Sequence, residues 1–146
     1  MNRFSTLIIL IAIFFHPLVV RCCGPVRPTT QFCVTATMQN FKHSDKLADP
    51  SSDAYRGLEH IVLLELNRIV EAKNWKSRLN PPPQFVRFEN TTNPASEIDA
   101  LLNVWANADA TTIQTELNPS TVALNPPPLY PIGKIQAVQG ACPPAP

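Results

Sequence analysis

Apolar side chains at Tyr55, Leu58, Val62, Leu66 and Ile69 recur at intervals of 3, 4, 4 and 3, one stripe along an α-helix that Ile61 and Val70 widen. Asp49 or Ser52 can accept bonds from the orphan N–H groups at its start, and Pro50 and Asp53 suit a first turn. Periodicity fades over Ala72 to Asn74, and Pro81-Pro82-Pro83 forbids helix beyond it. Fully buried, the five stripe residues would contribute about 1.5–3 kcal/mol each before ordering entropy is subtracted. No other segment promises as much core.

Shorter patterns flank this helix. Val34, Thr35 and Thr37 predict a strand with Met38 and Phe41 facing inward, and Phe85 to Asn90 alternates as a second strand. Pro94, Ser96 and Glu97 announce a second helix whose stripe is Ile98, Leu101, Leu102 and Trp105. Thr121, Val122 and Leu124 read as an edge strand after an Asn118-Pro119-Ser120 turn. The proline-rich stretch that follows leaves room around Ile132, Ile135 and Val138 for a short packed segment. Leu79-Asn80-Pro81-Pro82-Pro83-Gln84-Phe85 recurs as Leu124-Asn125-Pro126-Pro127-Pro128-Leu129-Tyr130, two copies of Leu-Asn-Pro-Pro-Pro-x-aromatic. Two copies do not make a solenoid.

A chain of 146 residues suffices for a single domain. Its opening, Met1-Asn2-Arg3 followed by an apolar run from Phe4 to Phe15 and then Leu18 to Val20, has the form of a secretory leader over residues 1–22. Cleavage after Cys22 fits the small-residue rule, with a cut after Gly24 as the alternative. A membrane anchor is the competing reading, but His16-Pro17 leaves the run short of the roughly 20 residues a span needs. Loss of Arg3 and Arg21 with the leader takes twelve basic residues to ten, against eleven acidic. A near-neutral chain without a basic stripe excludes nucleic acid as a partner.

Of the four cysteines, Cys22 leaves with the leader, Cys23 is the odd one out, and Cys33 and Cys142 are the pair expected to join in a secreted chain. Zinc ligand spacing is absent, and no metal or cofactor is expected. His43-Ser44-Asp45 holds the residue types of a hydrolase relay, but immediate neighbours point apart. His60, Glu59, Glu65, Arg68 and Glu71 fall in the gaps of the helical stripe and read as a solvated face. Pro127-Pro128-Leu129-Tyr130 matches the Pro-Pro-x-Tyr ligand of WW domains, against which stands the plainer reading of a packed arm. Asn90-Thr91-Thr92 is an N-glycosylation acceptor in a predicted surface turn, whereas Asn118-Pro119-Ser120 is disqualified by its proline.

A strand with an internal Phe41, then Leu47, Asp49, Pro50, Ser51, Ser52, Tyr55 and Leu58, then a helix continuing through Ile61 or Val62 to Leu66, resembles the opening of SEA domains. These are extracellular modules of mucins, basement-membrane proteoglycans and membrane-bound proteases. The resemblance covers residues 35–72 well and extends more weakly to about 125. It implies a ferredoxin-like α+β sandwich, an antiparallel sheet on two main helices, with the sheet here one strand short or completed from the tail. It also implies a division into leader 1–22, linker 23–32, SEA-like domain 33–125 and proline-rich tail 126–146. Self-cleaving members carry Gly-Ser in a hairpin turn where this chain has Asn90-Thr91-Thr92-Asn93, and no Gly-Ser occurs anywhere, so a non-cleaving variant is expected. The function expected is a secreted, non-enzymatic module for interaction or spacing, its partner an extracellular protein or glycan. The alternative is a secreted inhibitor or effector acting through its proline-rich segments.

Overall fold

The computed structural model describes residues 29–41, 44–91, 93 and 96–144. The leader, His43, Thr92 and Pro94 lie outside the described residues. The chain runs β1 (Thr30–Gln39), α1 (Asp53–Ala72), β2 (Gln84–Asn90), β3 (Glu97–Ala106), α2 (Ala110–Glu116) and β4 (Ile132–Gln139), with 3-10 turns at Asp45–Ala48, Lys76–Arg78 and Pro119–Thr121. The four strands form one sheet in the order β2-β3-β1-β4, every neighbouring pair antiparallel. This is the ferredoxin-like arrangement, two interleaved βαβ halves with helices on one face.

α1 forms where the stripe placed it. Ser52 caps it, its hydroxyl accepting from Tyr55 N–H at 3.1 Å, and Tyr55, Leu58, Val62, Leu66, Ile69 and Val70 are buried. Just before the cap, Asp49 Oδ1 accepts from Ser51 N–H (2.9 Å) and Ser51 Oγ (2.7 Å). The Ser51 hydroxyl, then its amide, hold the Asp49 carboxyl below the usual range. Against the helix lie Phe32, Val34, Ala36 and Met38 of β1 and Ile98, Ala100, Leu102, Val104 and Ala106 of β3. Trp75, 1% exposed, closes the end of this core; its Nε1 donates to Glu116 Oε2 at 2.7 Å, and the Arg78 guanidinium lies over the ring.

Three sequence expectations need correction. The segment with Ile98, Leu101, Leu102 and Trp105 is no helix; it is β3, paired with β1 from Thr30↔Ala106 to Gln39↔Glu97. Its inward residues, 98, 100, 102, 104 and 106, alternate as a strand requires, but Leu101 and Trp105 on the other face disguise the alternation as a helical stripe. A central strand covered on both sides loses the clean polar face that pattern reading depends on.

The second correction concerns Thr121, Val122 and Leu124, which form a 3-10 turn and a coil. Asn118 Oδ1 accepts from Ser120 N–H at 3.0 Å and sets that turn, and Pro126 to Pro128 lack the N–H groups a strand needs. The fourth strand comes instead from the tail, with Ile132, Ile135 and Ala137 inward and Val138, expected to pack, 68% exposed on the outer face; it pairs with β1 from Phe32↔Gln139 to Met38↔Ile132. The sheet is complete, and the tail from residue 126 is an integral part of the domain. At the other boundary, β1 begins at Thr30, inside the expected linker.

The third concerns the solvated face of α1. Glu65 is 6% exposed. Arg68 Nη1 donates to both its oxygens, at 3.0 and 3.1 Å, and Arg68 Nη2 donates to Pro126 O.

The two Leu-Asn-Pro-Pro-Pro copies hold equivalent places in the two halves, each between a helix and its following strand, and each with a cis Asn–Pro peptide. They flank α1. Leu79, Pro82 and Pro83 of the first face Asn67, Val70 and Glu71 across a shallow cleft, and Leu124, Pro127 and Pro128 of the second face Glu65 and Ile69 across another, with Leu79 and Leu124 packed against the core. With only seven residues, α2 cannot cover its half of the sheet. The segment from Thr121 to Pro131 completes that layer, held by Lys73 Nζ to Thr121 Oγ1 at 2.7 Å, by Arg68 to Pro126 O, and by Tyr130 edge-on to Phe41 at 5.7 Å.

Candidate functional site

The outer face of the sheet carries the chain's one covalent crosslink among the described residues. Cys33 lies on the outward side of β1, between Asn103 of β3 and Val138 of β4. From the end of β4 the chain turns back across the sheet as a strap, residues 140–144, and Cys142 is bonded to Cys33 with their Cα atoms 4.5 Å apart. Gly140, at φ +116°, makes the turn, its N–H donating to Gln31 O at 2.9 Å; an L side chain would be strained there. Further along, Cys142 N–H donates to Asn103 Oδ1 at 3.0 Å and Arg87 Nη1 donates to Pro143 O. The strap therefore crosses β1, β3 and β2 in turn. This crossing accounts for Leu101, which points outward yet is only 4% exposed.

Beyond the strap the outer face is polar. Thr37 Oγ1 donates to Asp99 Oδ1 at 2.6 Å, and Glu97, Gly133, Lys134 and Gln136 border a shallow depression beside them. Two smaller clefts, about 240 and 230 Å³, lie where the two proline-rich copies meet α1. The first mixes Asn67, Glu71 and Lys76 with Val70, Leu79 and prolines, the second is apolar apart from Glu65, and neither brings an acid, a base and a nucleophile together.

The residues singled out from sequence are scattered. Cys33 and Cys142 are joined as expected. Asn90 is exposed at the last position of β2, and its amide makes no hydrogen bond among the described residues. Thr91 Oγ1 accepts from Asn93 N–H at 3.1 Å, and β3 begins at Glu97. β2 and β3 are both present and paired antiparallel on either side of this turn, so no strand is missing here. Ser44 and Asp45 open a 3-10 turn, and His60 stands exposed on α1 with no side-chain hydrogen bond or ion pair among the described residues. Tyr130 of the Pro-Pro-x-Tyr stretch is half-buried against Phe41, whereas Leu129 is 76% exposed.

Burial raises the Tyr55 phenol above its ordinary range, with the Glu59 charge adding to the effect. The Thr112 N–H donating to Asp109 at the α2 cap lowers that carboxyl. The first perturbation comes from burial in the core and the second from a helix cap, and neither group lines the clefts described above. Reading the sequence alone missed the Glu65–Arg68 pair and the strap; the one available signal for the strap was the position of Cys142 just beyond an apolar alternation. No group of three metal-ligating side chains and no helix long and apolar enough to cross a membrane occurs among the described residues. No protein-family model matches the chain, and no curated protein matches it.

Proposed function

We propose that the chain is a secreted, non-enzymatic SEA-like module that acts by interaction or spacing outside the cell, its partner an extracellular protein or glycan. The observation that carries this reading is the Cys33–Cys142 bridge, which ties the strap to the middle of the sheet. Disulfides of this structural kind persist in oxidising compartments. The leader at residues 1–22 would deliver the chain there, and the ferredoxin-like topology is the one that the SEA resemblance implies. Asn90, exposed at a strand end, is the proposed site of an N-linked glycan.

The reading through proline-rich segments has less support. Both copies lie alongside α1 with Pro81, Pro82, Pro126, Pro127 and Leu129 exposed, but Tyr130, the aromatic that a Pro-Pro-x-Tyr reader would need, is half-buried against Phe41. The test is expression with the native leader in eukaryotic secretory cells. The protein is expected in the medium as one bridged polypeptide, retained saturably on extracellular-matrix proteins or glycans and released by competitor. Retention in the cytosol with Cys33 and Cys142 as free thiols would overturn the reading.

A further inference from the structure

The two borders of the sheet differ. β4 is overlaid by α2, whose Gln114 Nε2 donates to Ala137 O at 3.0 Å. β2 pairs with β3 on one side only; Tyr55 of α1 packs against Phe88 at 5.0 Å, Leu47 and Ala48 face Arg87 to Asn90 across a cleft, and no backbone–backbone hydrogen bond from elsewhere among the described residues reaches the strand's other side. An open edge presents unpaired N–H and C=O groups to any strand brought alongside, and proteins ordinarily blunt it with lysine, proline or a bulge. Residues Gln84 to Asn90 contain no lysine or proline. A bulge falls between Phe85 and Arg87, and from Arg87 to Asn90 the strand is regular.

That regular stretch is self-complementary. Two copies paired antiparallel about Phe88 set Arg87 of each opposite Glu89 of the other, both on the outer face, which opposes unlike charges at both positions. Within one chain Arg87 Nε already donates to Glu89 Oε1 at 2.9 Å, so pairing would join two existing ion pairs into a four-charge cluster across the seam. In the same register Asn90 of each copy stands beside Val86 of the other, at the two ends of the seam. A glycan there would occupy the space that the second copy needs.

We propose that β2 is an interface for a second copy of this chain and that the N-glycan on Asn90 keeps it closed, holding the secreted protein monomeric. The glycan's part rests on the secreted reading above; the edge pairing does not. The test is sedimentation velocity over a concentration series, on secreted wild type, on the same protein after glycosidase, and on Thr92→Ala, which abolishes the acceptor sequence and leaves β2 intact. The glycosylated protein is expected to sediment as monomer, and both glycan-free forms to shift to dimer as concentration rises. Adding Glu89→Arg to Thr92→Ala should lose the dimer, and adding Arg87→Glu to that variant should restore it, with thermal melts showing that each variant folds. Monomer at every concentration without glycan, or a dimer indifferent to Glu89→Arg, overturns the edge pairing. Secreted protein whose mass is unchanged by glycosidase overturns the glycan's role, while its presence in the medium reports the secreted reading separately.

Discussion

Replacing Cys33 and Cys142 together by alanine removes the bridge and leaves every other bond of the strap available. The bridge closes a sequence separation of 109 residues. On the chain-entropy model its loss costs about 4–5 kcal/mol, a large share of the roughly 5–15 kcal/mol by which a domain is stable. Should the strap then leave the sheet, Leu101 would lose the cover that holds it to 4% exposure, adding about 1–2 kcal/mol. The assay is guanidinium unfolding of oxidised wild type, wild type held in excess reductant, the Cys33→Ala/Cys142→Ala variant, and that variant shortened to end at Gln139. Reduced wild type and the alanine variant should share one lowered midpoint and a steeper slope than the oxidised protein, because the uncrosslinked unfolded chain exposes more surface, and the shortened chain should fall lower still in midpoint. An alanine variant within about 1 kcal/mol of oxidised wild type would refute the claim that the bridge constrains the unfolded chain.

Other outcomes follow from particular contacts. Leu58→Asp or Leu66→Asp places an unpaired charge among residues 3% and 2% exposed and should abolish the cooperative unfolding transition, whereas Glu59→Lys should shift the melting temperature little. Arg68→Ala strands the buried Glu65 carboxylate and frees Pro126, and should cost about 2–3 kcal/mol by urea denaturation; Glu71→Ala, at an exposed carboxylate, should stay within about 0.5 kcal/mol. Asp49 and Asp109 both have folded pKa values depressed below their unfolded ones, so the stability they supply is present above the unfolded pKa and is lost as pH falls through the folded one. Melting temperature followed downward from pH 5 should therefore decline, and less so in an Asp49→Asn/Asp109→Asn variant. The secreted protein should also remain one polypeptide under denaturing, reducing conditions, since the turn after Asn90 lacks the Gly-Ser bond; paired fragments beginning at Thr91 or Thr92 would contradict this.

The parts of the fold legible in the sequence were those with one buried face. α1 shows its stripe because its opposite face meets solvent, and Phe85 to Asn90 alternates because β2 is an edge. β3 was misread because it is central and has a strap above it, so apolar residues occur at both parities. β4 was hidden behind three prolines that seemed to end the domain, yet a chain with a seven-residue α2 needs that stretch to finish its second layer. Glu65 looked like one more solvated acid. Its burial depends on Pro126, which lies on the next layer and leaves no trace in the helical pattern. The bridge was legible because, in a chain read as secreted, Cys33 and Cys142 are the cysteines placed at the two ends of the domain.

Peptide mapping of the protein secreted under its own leader, with and without reduction and glycosidase, tests the account most directly. It should find a mature chain that begins at or near Cys23, a Cys33–Cys142 linked peptide pair that separates only on reduction, and an Asn90 peptide whose excess mass glycosidase removes. A retained leader, with Cys33 and Cys142 both recovered as thiols, would contradict it.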